Sequence, residues 1–325
     1  MVQYLKEPLL LWRLKMIQAC LAELEGRFDE ARELAEEALL IGRRGSHRGA
    51  DFVHLIFSSR LARLTGVAAE EAEIAVRRFV AGRGPSARGW HGLQLVTLGR
   101  LAEAADALTA SAPHIAEFPP HAPPWIPART GTATLCARFG NRELASLVYA
   151  DLLPYAGRQV VAGALTGSEG PVGRYLGMLA VLLGDYEAAD AHLKSALEGS
   201  LAMGSPPYEA LTRLEIARLM LARRDPGDAP AAREHLETAL SIAGRLGMTP
   251  LRDEAAELLP QITPLSTRED ELAALIADGL SNRQIAQRLH LSERTVESHV
   301  RNILTKLGFE RRTQIASWHT RTHQD

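Results

Sequence analysis

Over residues 1–260 apolar side chains recur at three- and four-residue spacing among Ala, Leu, Glu and Arg, and strand-like alternation is scarce, so the segment reads as helix almost throughout. The helical runs break at Gly or Pro. Five breaks share one form, in which an apolar helix ends at Gly and a short turn leads into an Ala-rich helix: Gly26–Ala31, Gly66–Glu71, Gly99–Ala104, Gly140–Ala145 and Gly184–Ala189. A sixth, looser turn is Arg223–Pro230. Past residue 262 the helices shorten and carry explicit start signals. Ser266 with Glu269, and Ser281 with Gln284, have the spacing of capping boxes, and Ser292 is placed to cap a further helix.

The five turns resemble the inter-helix turn of the tetratricopeptide repeat, in which Gly permits chain reversal and small residues let two helices approach closely. The best unit spans Gly173–Leu197, with Leu176 and Gly177 on its first helix and Tyr186, Ala189, Leu193 and Ala196 on its second. The first unit matches at Ala19, Phe28, Ala31 and Ala38. Spacings of 40, 33, 41 and 44 residues between the glycines exceed that family's period of about 34, so the array is read as a tetratricopeptide-like solenoid of degenerate repeats. The 66–71 unit fits worst, because Glu71 stands where Ala is expected. Arrays of this kind leave a concave face that holds peptides or small ligands, or else act as a spacer. Pro113–Pro127, with six prolines and Trp125, is predicted to be an extended crossing between hairpins.

In the C-terminal part, a helix over Ser281–Leu289, the turn His290-Leu-Ser292 and a helix from Glu293 to about Leu307 have helix-turn-helix spacing. Ile285, Leu289, Leu291, Val296, Val300, Ile303, Leu304 and Leu307 form a stripe that packs on Leu272, Leu275 and Ile276. Arg294, Glu297, Ser298 and Arg301 then project from the opposite side, which would enter a major groove. This stretch resembles the LuxR-type helix-turn-helix domain from Leu265-Ser-Thr-Arg-Glu269 through Gly279-Leu-Ser-Asn282, Thr295-Val296, Lys306-Leu307-Gly308 and Arg312-Thr313.

The resemblance implies base-facing roles for Glu297, Ser298 and Arg301, and phosphate contacts for Thr295 and Lys306. Helix geometry adds Asn282, Arg283 and Arg294 as phosphate contacts. A carboxylate at Glu297, where relatives often have Lys, is repelled by phosphate unless it accepts from a cytosine amino group. A fourth helix, about Arg312–Trp318, presents Ile315 and Trp318 for pairing of two copies on DNA. His299 is assigned to packing or capping.

The fold expected is therefore all-α, with residues 1–262 a helical-repeat domain and 263–325 a four-helix DNA-binding domain. The net charge of −2 offers little general attraction for nucleic acid; nine Lys/Arg against eight Asp/Glu in Leu265–Asp325 leave about +1 there and −3 elsewhere. Where the charges sit matters more than their sum. Two distant cysteines, Cys20 and Cys136, read as buried reduced thiols, and the short apolar run near the start suits neither a signal peptide nor a membrane span, so a cytoplasmic location is expected.

No phosphate-binding G-x-x-x-x-G-K-[ST] run occurs, and the chain resembles the C-terminal part of large ATP-binding LuxR-family regulators without their nucleotide module. No cofactor, metal or catalytic motif is expected; the His319/His323 pair has metal-like spacing but no Cys partners. The expected partners are double-stranded promoter DNA, a second copy of the chain on that DNA, and a peptide, protein or small-molecule effector on the repeats. The competing reading is an interaction scaffold with weak or non-specific DNA binding.

Overall fold

The computed structural model describes residues 8–117, 122, 125–161, 167–225, 227–261, 265–307 and 309–322. Among them the first part of the chain forms helical hairpins: α1 (Pro8–Leu24) with α2 (Phe28–Arg44), α3 (Ala50–Thr65) with α4 (Ala69–Ala81), α5 (Arg88–Thr97) with α6 (Leu101–Ser111), and α7 (Trp125–Phe139) with α8 (Arg142–Leu152). Next come α9 (Val172–Leu183) with α10 (Tyr186–Ala202) and α11 (Pro206–Arg223) with α12 (Asp228–Leu246), and α13 (Thr249–Leu258) follows. All five turn glycines have positive φ, between 70° and 84°, the left-handed conformation that ends a helix without a Cβ clash.

Small residues set how closely the helices approach. Ala19, Ala31 and Ala38 of the first hairpin, and Leu176, Ala189, Leu193 and Ala196 of the fifth, are all buried. A Cβ on Gly177 would lie 2.4 Å from Leu193 Cγ, so α9 and α10 pack at a distance no other residue at 177 allows. The poorly matching 66–71 unit is explained by one extra turn residue. Ala68 takes a left-handed φ of 57°, α4 starts at Ala69, and Ala72 rather than Glu71 becomes the buried small residue.

The array does not stay open. One core cluster draws on α1, α2 and α3 together with α11, α12 and α13, and Ser205 Oγ donates to the Leu24 carbonyl at 2.7 Å, across 181 residues of chain. The first hairpin thus packs on the last ones. α3, α5, α7, α9, α11 and α13 line a cavity of about 430 Å³ that is open to solvent on one side.

An unexpected two-stranded antiparallel sheet, β1 (Gln159–Val161) with β2 (Ser168–Pro171), lies between α8 and α9 and accounts for the longest glycine spacing. Its second strand reaches the cavity wall. Tyr208 Oη donates to the Ser168 carbonyl, Tyr175 Oη donates to the Glu169 carbonyl at 2.9 Å, and the Glu169 carboxylate accepts from Arg63 Nη2 at 3.2 Å and Thr130 Oγ1 at 3.3 Å.

Pro113–Pro127 is not a continuous α-helix: a 3-10 turn spans Ala112–Glu117 and α7 begins at Trp125, while 118–121 and 123–124 lie outside the described residues. Trp125 is buried against Tyr155. Burial pushes the Cys136 thiol up to about 12 and the Cys20 thiol up to about 11, and no disulfide joins them.

Residues 265–322 have their own core of Leu272, Ile276, Ile285, Val296, Ile303 and Ile315, built from α14 (Thr267–Ala277), α15 (Asn282–Leu289), α16 (Glu293–Leu307) and α17 (Arg312–Thr322). The proposed boundary at 262/263 falls outside the described residues. Both capping boxes form, and Ser292 Oγ accepts from Thr295 N at 3.1 Å. Glu269 also receives Lys306 Nζ at 2.6 Å, so one nearly buried carboxylate caps α14 and ties it to the end of α16. Burial opposes the ionisation of Glu269, but Lys306 and the Ser266 N–H outweigh it and hold this carboxyl below its usual range.

Two predictions follow from these buried charges. Arg60 Nε donates to Glu23 Oε1 at 2.7 Å with both side chains at most 3% exposed. Arg60→Met, which strands the carboxylate, is expected to lower stability by about 3–5 kcal/mol in denaturant titrations, and adding Glu23→Leu to recover much of the loss. Because the folded-state affinity of Glu269 for a proton is depressed, its stabilisation is complete above about pH 4.3 and is lost as pH falls through the lower folded value. Exchange protection of α14 and α16 is expected to be higher in wild type than in Glu269→Gln at neutral pH, with the difference vanishing in acid.

Candidate nucleic-acid interface

The turn between α15 and α16 is closed by His290, which adopts a left-handed φ of 53° and donates its N–H to the Ala286 carbonyl. That bond stops α15 and redirects the chain so that α16 crosses it, with Val296 and Ile303 fully buried beneath. The opposite face carries Arg294, Glu297, Ser298 and Arg301, at positions one helical turn or two apart, and all four are exposed. Among the described residues none of these four side chains is engaged in a hydrogen bond or ion pair. Arg283, exposed at the start of α15, is equally uncommitted. The site therefore presents three mobile guanidinium groups around one carboxylate and one hydroxyl, which are the groups that read base edges and phosphates.

The remaining expected contacts are placed differently. Thr295 is partly buried and its Oγ1 lies 2.7 Å from Ser292 Oγ, so it completes the cap. Asn282 Oδ1 accepts from Arg312 Nη1 at 2.7 Å, which turns its amide NH₂ into the group left to donate. Lys306 Nζ donates to Glu269 Oε2 at 2.6 Å and so joins α16 to α14, while its side chain stays 42% exposed. Ile315 requires a correction. It is fully buried in the core and offers no surface to a second copy, while Trp318 is partly buried against the same cluster. His299 is partly buried, as its packing assignment implies, and its Nδ1 has no hydrogen-bond partner.

Two residues that hold the site together escaped sequence reasoning. Arg268 Nη2 donates to the Leu289 carbonyl at 2.9 Å, pinning the end of α15 to α14. Arg312 Nη2 donates to the Leu280 carbonyl at 2.6 Å and, through Asn282, fixes the start of α15 to α17; burial lowers the proton affinity of this guanidinium. Arg268 and Arg312 both satisfy carbonyls at helix ends or turns, a role that leaves no periodic trace. Only the Arg312-Thr313 match to the family pattern pointed to the second.

His319 Nε2 lies 3.9 Å from Asp270 Oδ1, and His323 is outside the described residues. No group of three or more potential metal ligands occurs among the described residues, and no helix there is long and apolar enough to cross a membrane.

Comparison with known proteins points the same way. The family model for bacterial regulatory proteins of the luxR family matches residues 263–319. The chain is 35% identical over 140 residues to the DNA-binding transcriptional activator DevR/DosR of Mycobacterium tuberculosis, covering 43% of this chain and 58% of that one. It is 38% identical over 82 residues to the transcriptional regulatory protein LiaR of Bacillus subtilis, and 37% over 75 residues to the nitrate/nitrite response regulator protein NarL of Escherichia coli. These stretches cover 25% and 23% of this chain, and 38% and 33% of the two relatives, so the likeness spans only part of each protein. The geometry of α14–α17 and these matches agree that the C-terminal part of the chain is a helix-turn-helix domain of the luxR family of bacterial regulatory proteins.

Proposed function

We propose that the protein is a transcriptional regulator that seats α16 in the major groove of promoter DNA, while the closed helical array binds an effector or partner, or brings copies together. The observation that carries the reading is the division of α16 between a fully buried apolar side and an exposed side whose Arg294, Glu297, Ser298 and Arg301 have no partners within the protein. Uncommitted arginines on a helix held rigid by two neighbours are free to exchange water and counterions for phosphates and bases. Asn282 and Thr295 supply further phosphate donors at the starts of α15 and α16. Arg301 is assigned to guanine and Glu297 to a cytosine amino group, with the operator reading different from that of relatives that carry a cation at 297.

With little net charge in the domain, one copy binds weakly, and pairing multiplies affinity. The pairing surface is assigned to the exposed side of α17, with Thr313, Ser317 and Thr320 in line beside the accessible edge of Trp318. Ser317→Arg is expected to abolish two-copy complexes on a two-half-site duplex and to leave half-site binding unchanged, as read by analytical ultracentrifugation.

Selection of bound genomic fragments followed by retardation assays tests the DNA reading. Arg301→Ala is expected to weaken binding to the selected site by roughly 5- to 150-fold and to relax preference at one base pair. Arg283→Ala and Arg294→Ala are expected to weaken all sequences alike and to flatten the slope of log affinity against log salt by about 1 each. Equal, weak retardation of every duplex by wild type favours the scaffold reading instead.

A further inference from the structure

The central cavity carries charge that the protein itself leaves unanswered. Three of the guanidinium groups in its wall have carboxylate partners: Arg60 pairs with Glu23, Arg63 with Glu169 at 3.2 Å, and Arg138 with Glu254 at 3.7 Å. Arg174 has none. It is 7% exposed, its Nη1 lies 3.8 Å from Met178 Sδ, its guanidinium lies 4.2 Å from the centre of the Tyr175 ring and beside that residue's hydroxyl, and its Nε has no hydrogen-bond partner. Arg60 Nη1, on the same wall, is a second buried N–H without an acceptor. Glu215, the acid that Arg174 influences across the core, is occupied by Arg218 at 2.7 Å. A buried cation and two orphaned donors are costly unless an acceptor meets them.

The rest of the wall says what kind of acceptor fits. Leu64, Leu93, Val96, Leu211 and Leu251 make much of it apolar, and the volume of about 430 Å³ is that of a small-molecule site. Glu169, Asp253, Glu254 and Glu257 also line the cavity and repel a multiply charged anion such as phosphate, while Arg63 offsets Glu169, Arg252 offsets Asp253, and Arg138 and Arg218 offset Glu254. A single planar negative charge suits the guanidinium fork, and an apolar body suits the leucines.

We propose that the cavity lined by α3, α5, α7, α9, α11 and α13 is a binding site for a small organic carboxylate with an apolar body, its carboxylate held by Arg174. The site deepens the effector role proposed for the repeats. Binding is read without DNA, so its failure leaves the DNA-binding reading standing and the reverse also holds.

The test is thermal unfolding of the full-length protein with hexanoate and with benzoate, against hexanamide, benzamide, and inorganic phosphate at matched ionic strength. Both acids are expected to raise the Tm saturably, by roughly 5 °C at about a hundredfold excess over Kd, with no response to the amides or phosphate. Arg174→Gln is expected to abolish the shift. Thr134→Trp, which fills the cavity from α7 and leaves Arg174 in place, is expected to do the same, so the result does not hang on one variant. No saturable response to either acid overturns the assignment. So do equal shifts with the amides or phosphate, or a response that survives in a folded Arg174→Gln protein.

Discussion

Everything in the helical array depends on its first hairpin finding its last. Helical repeats bury apolar surface only against neighbours, so an open array leaves its two end hairpins half uncovered. Here α1–α3 and α11–α13 contribute to one core, with the Ser205–Leu24 bond across the seam. Closure removes both ends at once. It also gathers Arg60, Arg63, Arg138 and Arg174 around one cavity, where three of the four have carboxylate partners.

The hairpins themselves were legible because each rests on local rules. Turn glycines, small residues at crossing points and a 3.6-residue apolar period are all contained within about forty residues, and they located the helix pairs and the buried faces of Ala31, Ala189 and Leu193 correctly. Closure was not legible, since a contact between residues 181 apart has no periodic signature. The short strands β1 and β2 were missed for a related reason: three or four residues carry too little alternation to stand out, and their stability comes from packing on Tyr175 and Tyr208.

In the C-terminal domain the starts of α14, α15 and α16 were readable to the residue, because Ser266, Ser281 and Ser292 each mark one by a local hydrogen bond, whereas α17 runs four residues beyond the expected Trp318. Side-chain assignments fared unevenly. The outward face of α16 was found by elimination, once the apolar stripe had been turned inward. Ile315 was misjudged, and the tie of Lys306 to Glu269 went unseen, because a charged residue near a helix end and an apolar residue on a terminal helix look alike whether they face solvent, DNA or a neighbouring helix. Only the position of Glu269 and the depth of the core separate those cases.

The seam across the array also has a consequence for synthesis. At about 5–20 residues per second, the ribosome delivers α11–α13 roughly 10–40 s after α1 has emerged. Through that interval the α1–α3 part of the shared core lacks the α11–α13 residues that complete it. The first helices of the array therefore complete their core only when its last hairpins arrive.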